Sequence, residues 1–296
     1  MKRNKFWGVI EGFYGRYYSF YERCDLIKFL SSLKFNTYVY GPKSDPYHRK
    51  EYYKSYPTNQ MKEFESLSNI AKQCHIQFNY ALSPGSDPDI KAVLRKIRSM
   101  MSTGIEDYSL FYDDIKIELD ERSAIMQAKS ANEVYEMVKE KCKHTNFFFC
   151  PTQYCGFEKT EYILTIARKL NTNIKIFWTG KNVVSRKITE TDVDRITEII
   201  GRKPLIWDNI FANDYIPGII LKFPYHNREP GIIDKVSGIL LNPMNQYLQS
   251  KPLIHTAGEF FKQPCKYKPQ EFKFPPLSKK YKFLSVRVNE LPDTGL

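Results

Sequence analysis

The sequence lacks the cysteine spacing of a metal site or a disulfide framework. Its six cysteines are scattered along 296 residues, and no two of them form a Cys-x-x-Cys pair. Zinc ribbons and small disulfide-rich secreted domains carry their cysteines at short, regular spacings. The pattern excludes both classes and favours reduced thiols in a cytoplasmic or nuclear protein, for which we expect no metal and no other cofactor.

Long apolar segments and nucleotide-binding motifs are missing as well. The first apolar run, Phe6 to Ile10, is too short for the apolar part of a signal peptide. The roughly 18 consecutive apolar residues of a membrane-spanning helix occur nowhere. Neither G-x-G-x-x-G nor G-x-x-x-x-G-K-S/T is present. We therefore expect no signal peptide, no membrane span and none of the common nucleotide sites.

Positive charge is plentiful but unevenly distributed. The formal net charge of +12 suits an acidic polysaccharide, a nucleic acid or an anionic membrane. The segment from Lys262 to Lys282, however, holds seven lysines and a single acid. We predict a basic, Pro-rich C-terminal tail over residues 263–296, extended in solvent or strapped along the surface of a domain that ends at residue 262.

Short apolar runs alternate with amphipathic segments along residues 1–262. Helix-like segments at 22–33, 61–74, 90–103, 130–143 and 189–201 separate them, and another at 254–261 follows the last. Eight such alternations with short connections predict an α/β fold, a closed (β/α)8 TIM barrel, with a doubly wound open sheet as the alternative. The eight predicted strands are 6–10, 37–40, 76–82, 108–112, 147–150, 174–178, 205–207 and 239–241.

Polar residues follow every predicted strand. In a parallel barrel the carboxyl ends of all strands open onto one rim, where the active sites of this fold lie. We therefore expect eight distant segments to converge on one pocket. The residues concerned are Glu11, Gly12, Lys43, Ser83, Asp113, Asp114, Thr152, Tyr154, Thr179, Asp208, Asn209 and Asn242.

Two adjacent acids, Asp113 and Asp114, end the fourth predicted strand. Most glycosidases hold two carboxyls about 5 to 9.5 Å apart across the sugar, which sequence neighbours rarely achieve. A route in which the 2-acetamido oxygen of the sugar attacks the anomeric carbon needs no enzyme nucleophile. One carboxylate then orients the acetamido N–H, and the other serves as general acid and base. Two neighbouring acids also push their pKa values apart, which predicts a donor that stays protonated near neutral pH.

Eight motifs together resemble glycoside hydrolase family 84, which contains the O-GlcNAcases and the enzymes long labelled hyaluronidases. The resemblance runs in order from about residue 6 to residue 262 and implies a retaining beta-N-acetylglucosaminidase that uses substrate-assisted catalysis. Its substrate would be a glycoprotein or oligosaccharide that bears GlcNAc, such as O-linked GlcNAc. The motifs are 8–15, 40–43, 83–85, 112–115, 151–156, 178–180, 206–210 with 212–215, and 241–243.

The resemblance also implies roles for ten residues. Asp113 would orient the acetamido nitrogen, Asp114 would be the general acid and base, and Tyr154 would bond the acetamido oxygen. The remaining seven would bind the sugar hydroxyls or shape the pocket around the ring and the acetamido group. These are Gly12, Lys43, Thr179, Trp207, Asn209, Asp214 and Asn242.

The chain departs from the family pattern at several positions, and other functions are possible on the same fold. Lys116 stands where family members carry a further acid, the loop after Gly156 is short, and no stalk-like helical domain for dimerisation is expected. Endo-acting cleavage of hyaluronan, a hyaluronidase-like activity, is the second hypothesis, and a non-hydrolytic carbohydrate-binding protein on the same barrel is another. A nucleic-acid binder, which rests on charge and aromatic residues alone, is not expected.

Overall fold

The computed structural model describes residues 5–216, 218–270 and 282–284 of the chain. The described ranges contain ten β-strands, each short enough to be read from a few apolar residues. Numbered in chain order, they are β1 (Phe6–Glu11), β2 (Thr37–Tyr40), β3 (Gln77–Leu82), β4 (Asp107–Phe111), β5 (Phe147–Cys150), β6 (Lys175–Trp178), β7 (Leu205–Asp208), β8 (Ile219–Leu221), β9 (Gly238–Leu241) and β10 (Lys282–Leu284).

Eight α-helices accompany these strands within the same ranges. Side chains cap several helix starts; Ser19 and Glu22 form a capping box before α1, and Asp120 accepts from the Ser123 amide before α4. None of the helices in the described residues is both long and apolar enough to span a bilayer. The helices are α1 (Phe20–Ser32), α2 (Thr58–Gln73), α3 (Ile90–Met101), α4 (Glu121–Lys141), α5 (Glu161–Lys169), α6 (Glu190–Ile200), α7 (Ile232–Lys235) and α8 (Tyr247–Lys262).

Eight strands form one closed parallel barrel in the order β1-β2-β3-β4-β5-β6-β7-β9. The last of these closes it, because Leu240 of β9 is in register with both Gly8 of β1 and Trp207 of β7. Glycine at position 8 permits a close approach to β2, since a Cβ there would lie 1.7 Å from the Thr37 carbonyl oxygen. The predicted (β/α)8 TIM barrel is confirmed, and the open doubly wound sheet is wrong.

Aromatic rings fill the barrel interior. The Phe6 and Phe148 rings are 4.8 Å apart, and the Phe177 and Trp207 rings are 5.4 Å apart. Successive strand residues face opposite sides, so Trp7 lies in the outer layer between the strands and the helices. The ring cluster inside the barrel forms the floor beneath the carboxyl ends of the strands.

Three parts of the chain differ from the sequence-based expectation. Helix α8 begins seven residues before the predicted 254–261 segment and continues through Pro252. Helix α4 begins nine residues before the predicted 130–143 segment, because its first turns bury small and polar residues such as Ala124 and Gln127 that carry no apolar signal. Between β7 and β9 the chain adds β8, which pairs with β10 outside the barrel. Helix α8 ends at Lys262; the division of the chain into a domain over 1–262 and a tail stays a prediction.

The burial of Asp107, at the start of β4, predicts that the stability of the fold depends on pH. Its side chain is almost fully buried and accepts from the Asn146 amide at 2.6 Å and from Asn146 Nδ2 at 3.1 Å. Burial raises the pKa of Asp107 to about 7, although the Asn146 bonds oppose this. An unfolded Asp titrates near pH 3.9. The stability that protonated Asp107 contributes is therefore fully present below about pH 4 and is lost as the pH rises through 7.

We expect Asp107→Asn to stabilise the fold by up to about 4 kcal/mol at pH 8, because a pKa raised from about 3.9 to about 7 corresponds to about 1.4 kcal/mol per unit. The gain should vanish near pH 4, where both side chains are neutral. Urea unfolding at several pH values measures the difference. Glu140→Gln, which removes an exposed acid that is not among the charges acting on Asp107, is the control and should show no such pH-dependent gain. A gain for Asp107→Asn that is equal at pH 4 and pH 8 would contradict the argument.

Candidate active site

A cavity of about 600 Å³ opens at the carboxyl ends of the barrel strands. All ten predicted site residues line it, so the structure brings together every residue that the resemblance singled out. Seven of the eight strand ends contribute, whereas Ser83 after β3 is buried away from the cavity and its amide bonds the His48 carbonyl. The lining residues that the prediction did not name are Tyr14, Ile115, Lys116, Cys150, Val183, Val184, Ala212 and Tyr215.

Asp113 lines the cavity and has one carboxylate oxygen without a partner among the described residues. Its Oδ2 forms a buried ion pair with Lys43 Nζ, while its Oδ1 is buried without a hydrogen-bond partner among the described residues. The Lys43 ammonium also lies 5.3 Å from the ring centre of Phe111 and 5.2 Å from that of Trp207. A carboxylate that forms an ion pair through one oxygen can accept a hydrogen bond from a ligand N–H on the other.

Asp114 lies at the exposed rim of the cavity and accepts two tyrosine hydroxyls. Tyr154 donates to its Oδ1 at 2.7 Å, and Tyr14 donates to its Oδ2 at 2.8 Å. Burial acts to raise the pKa of Asp114, but Lys43 and the two hydroxyls outweigh burial, and the pKa lies below its usual value. The expectation of a protonated donor near neutral pH is therefore wrong for the ligand-free site, because both carboxylate oxygens already accept O–H bonds.

Tyr154 connects Asp114 to the cavity. Burial and the adjacent carboxylate raise its pKa far above the usual tyrosine value, so the hydroxyl stays protonated. A tyrosine has one O–H to donate, and a bound acceptor that takes it must remove it from Asp114. Binding of such a ligand would raise the pKa of Asp114, since the carboxylate loses a hydrogen bond to its charged form.

A chain of amide groups fixes the opposite wall. The Gly12 amide donates to Asn242 Oδ1 at 3.2 Å, Asn242 Nδ2 donates to Asn209 Oδ1 at 2.9 Å, and Asn209 Nδ2 donates to the Val183 carbonyl at 2.8 Å. Each of these hydrogen bonds fixes which way the next side-chain amide is turned. A Cβ at Gly12 would lie 2.2 Å from the Trp207 ring, so only glycine allows β1 to reach this wall.

Asp214, Thr179 and Trp207 complete the lining. Asp214 accepts from the Tyr14 amide at 2.8 Å, and burial raises its pKa. The Thr179 hydroxyl donates to the Asn182 carbonyl at 3.0 Å. Trp207 Nε1 is a buried donor without a hydrogen-bond partner in the described chain. Unused donors and acceptors beside apolar walls are typical of a pocket for a small polar ligand.

Two buried ion pairs support the site from behind. Glu11 accepts from Arg23 at 2.9 and 2.8 Å, next to Gly12. Asp208, next to Asn209, accepts from Arg228 at 2.9 and 2.6 Å. Both acids follow predicted strands and are the last residues of β1 and β7, yet neither lines the cavity. Within the described residues no group of three or more His, Cys, Asp or Glu side chains could hold a metal ion.

The fold and the site together define a class of protein. A (β/α)8 barrel that presents adjacent carboxylates and a tyrosine in a closed-bottomed pocket at its carboxyl rim has the architecture of a glycoside hydrolase.

Comparison with known proteins agrees with this class. The family model described as beta-N-acetylglucosaminidase matches residues 7–278. The protein O-GlcNAcases of Rattus norvegicus and Mus musculus are each 33% identical to the chain over 274 residues, which is 86% of this chain and 30% of theirs. The solved structure of a mutant O-GlcNAc hydrolase from Thermobaculum terrenum superposes with a TM-score of 0.83 at 31% identity. It covers 89% of this chain, which in turn covers 60% of that chain.

The chain belongs to the beta-N-acetylglucosaminidase family, and the resemblance to glycoside hydrolase family 84 is confirmed. It spans less than a third of the length of the curated relatives that it matches.

Proposed function

We propose that this protein is a retaining beta-N-acetylglucosaminidase that removes a terminal GlcNAc by substrate-assisted catalysis. The observation that carries the proposal is the pair of adjacent carboxylates with different partners. Asp113, which lines the cavity, has a lysine on one oxygen and no partner among the described residues on the other, whereas Asp114 faces the rim with two hydroxyl donors. The first suits an amide N–H, and the second suits proton transfer.

Asp113 would act on the acetamido group. Its free Oδ1 accepts the acetamido N–H, which turns the carbonyl oxygen towards the anomeric carbon and increases its nucleophilicity. The bond from that oxygen to the anomeric carbon forms as the glycosidic bond breaks, giving an oxazoline or oxazolinium intermediate. The buried ion pair with Lys43 holds the Asp113 carboxylate in place, and its negative charge stabilises the positive charge that develops on the nitrogen.

Asp114 would act on the leaving group. It donates a proton to the glycosidic oxygen as the bond breaks and then removes a proton from the water that opens the intermediate. Both displacements occur at the anomeric carbon, so its configuration is retained. When the acetamido oxygen accepts the hydrogen bond of the Tyr154 hydroxyl, Asp114 loses that hydrogen bond and its pKa rises. The substrate itself thereby converts the ionised carboxylate of the free site into a proton donor.

The remaining lining residues would hold the sugar. Asp214 and the Asn242 amide offer partners for sugar hydroxyls, as do the Gly12 backbone and Lys43, while Trp207 forms an apolar wall. Thr179 and Asn209 would complete the pocket around the acetamido group and ring. The floor of aromatic rings closes the barrel below, which favours removal of one terminal sugar over cleavage inside a polymer.

The acceptor would be a glycoprotein or glycoconjugate with O-linked GlcNAc. The relatives, a protein O-GlcNAcase and an O-GlcNAc hydrolase, support this choice. All six cysteines are free thiols, which supports a reducing compartment, the cytoplasm or nucleus.

We expect hydrolysis of an aryl beta-N-acetylglucosaminide, weaker hydrolysis of its galacto isomer, and none of hyaluronan. Release of the aryl alcohol and of reducing ends measures the three rates, and NMR of the first-formed sugar should show the β-anomer. Hydrolysis confined to hyaluronan would replace the proposal with an endo-acting hyaluronidase. Binding of GlcNAc without turnover would replace it with a carbohydrate-binding protein.

A further inference from the structure

Arg49 reaches the rim of the site without lining the cavity. It follows β2 in the connection to α2, and its guanidinium is half-buried. One nitrogen, Nη1, donates to the Tyr14 hydroxyl at 2.6 Å, and the other, Nη2, donates to the main-chain carbonyl of Asp114 at 3.3 Å. One side chain thus contacts both the backbone of the proposed acid and one of the hydroxyls that bind its carboxylate.

The hydrogen bond from Arg49 to Tyr14 determines the direction of the hydrogen bond that the Tyr14 hydroxyl donates. A guanidinium only donates, so the Tyr14 oxygen must accept from Arg49 and point its own O–H elsewhere. That O–H is directed to Asp114 Oδ2 at 2.8 Å. The Arg49 charge polarises the hydroxyl and strengthens the second bond.

The bond to the Asp114 carbonyl supports an unusual backbone conformation. Asp114 has φ = 54°, in the left-handed region that residues with a Cβ adopt rarely. That conformation turns the chain at the end of β4, so that two sequence neighbours enter the same cavity. A group that donates to this carbonyl stabilises the turn.

We propose that Arg49 is a positioning residue for the reaction, which holds the backbone and carboxyl of Asp114 in register through the Asp114 carbonyl and the Tyr14 hydroxyl. The inference rests on the proposed function, because it gives Arg49 a part in the proton transfer that Asp114 performs. Arg49 does not line the cavity, and its hydrogen bonds go to the Tyr14 hydroxyl and the Asp114 main-chain carbonyl and not to the Asp114 carboxylate.

The charges around Asp114 give this role a signature in pH. Arg49 is one of the groups that, with Lys43, Tyr154 and Tyr14, lower the pKa of Asp114 against the effect of burial. Removal of its charge raises that pKa, so the alkaline limb of kcat, which reports the substrate complex in which Asp114 is the proton donor, moves to higher pH. The groups that face Asp114 are the cations Lys43 and Arg49, the acids Asp113 and Asp214, the hydroxyls of Tyr14 and Tyr154, and the thiols of Cys150 and Cys155.

The test compares Arg49→Met, Arg49→Lys and Tyr14→Phe with the wild type and with Lys50→Met, an exposed neighbour. Each is assayed from pH 4 to 9 on aryl GlcNAc substrates with good and poor leaving groups. We expect Arg49→Met to lower the rate on the substrate with the poor leaving group about 10-fold or more, which is part of the usual rate contribution of acid catalysis. The good substrate should be slowed less, and the alkaline limb should move up. Arg49→Lys keeps the positive charge but has a single donor nitrogen, so it should move the alkaline limb less than Arg49→Met does.

Several outcomes separate this inference from its premise. Equal losses on both substrates with an unmoved pH limb in an Arg49 variant would overturn the positioning role alone. The same would follow if Lys50→Met reproduced the Arg49→Met shift. If Arg49→Met unfolds, Arg49→Lys and Tyr14→Phe decide by the same two criteria. A folded wild type that hydrolyses neither substrate would overturn the proposed function, and this inference with it.

Discussion

Asp114→Asn is expected to lower kcat for a GlcNAc substrate with a poor leaving group by about 10² to 10⁴, the usual contribution of general acid–base catalysis. An amide cannot deliver the proton that Asp114 would supply to the glycosidic oxygen. A nitrophenol leaving group needs no proton, so much of the loss in the first step should be recovered with that substrate. Steady-state rates across a series of aryl leaving groups measure both effects.

Asp113→Asn should respond differently to the same series. It removes the acceptor for the acetamido N–H and leaves Lys43 without its charged partner, so it impairs attack at the anomeric carbon whatever group leaves. The loss should therefore persist with a nitrophenol. Glu118→Gln, an exposed acid in the same loop, is the control and should be close to wild type. Equal rescue of the Asp113 and Asp114 variants would refute the division of roles.

Arg228→Met is expected to destabilise the fold by about 3 to 5 kcal/mol, the usual cost of leaving one member of a buried ion pair unpaired. The Arg228 guanidinium is almost wholly buried and holds both oxygens of Asp208, which is fully buried. It also donates to the carbonyls of Ser185 and Arg186. Urea unfolding at neutral pH measures the loss as a lower midpoint at an unchanged slope.

Two comparisons make this result specific. Adding Asp208→Asn should recover part of the loss, because the unpaired buried charge is then gone. Arg168→Met, which breaks an exposed pair with Glu161 of similar length, should cost only about 0 to 1 kcal/mol. Similar losses for the Arg168 and Arg228 variants would contradict the argument that burial sets the energy.

The position of Asp208 gives this pair a further consequence for the site. Its carbonyl accepts from the Asn242 amide at 2.9 Å, and Asn209 is its neighbour. The wall that contains the amide chain therefore depends on the same pair. We infer that a destabilised Arg228 variant also loses affinity for substrate, before it unfolds.

Most of the barrel could be predicted from the sequence, because a buried parallel strand is a short apolar run and its periodic recurrence identifies the fold. β2 and β5 have the predicted bounds, β4 is shifted by one residue at both ends, and the other barrel strands differ by one residue at one end. β8 could not be predicted, since three apolar residues carry no period and the strand's partner lies about 60 residues further along. The first turns of α4 were missed because small side chains pack there against neighbours distant in sequence.

The lining residues were predictable for a different reason. Polar residues at strand ends mark the rim, and the family motifs single out ten of them. Tyr14 lies inside the motif 8–15, but the resemblance implies no role for it. Arg49 could not be predicted as a site residue, because a charged loop residue is usually solvated. Ser83 follows a strand end like the others, yet the loop that contains His48 covers it.

The sequence by itself determined the class of fold, the family and the adjacency of Asp113 with Asp114, because these follow from period and local motif. Only the tertiary structure decided what each acid can do. The partners that distinguish them, Lys43 for Asp113 and the hydroxyls of Tyr14 and Tyr154 for Asp114, are 40 to 100 residues away in the chain. Burial and hydrogen bonds set a pKa, and both are properties of surroundings in space, so the lowered pKa of Asp114 could not be deduced from its position beside Asp113.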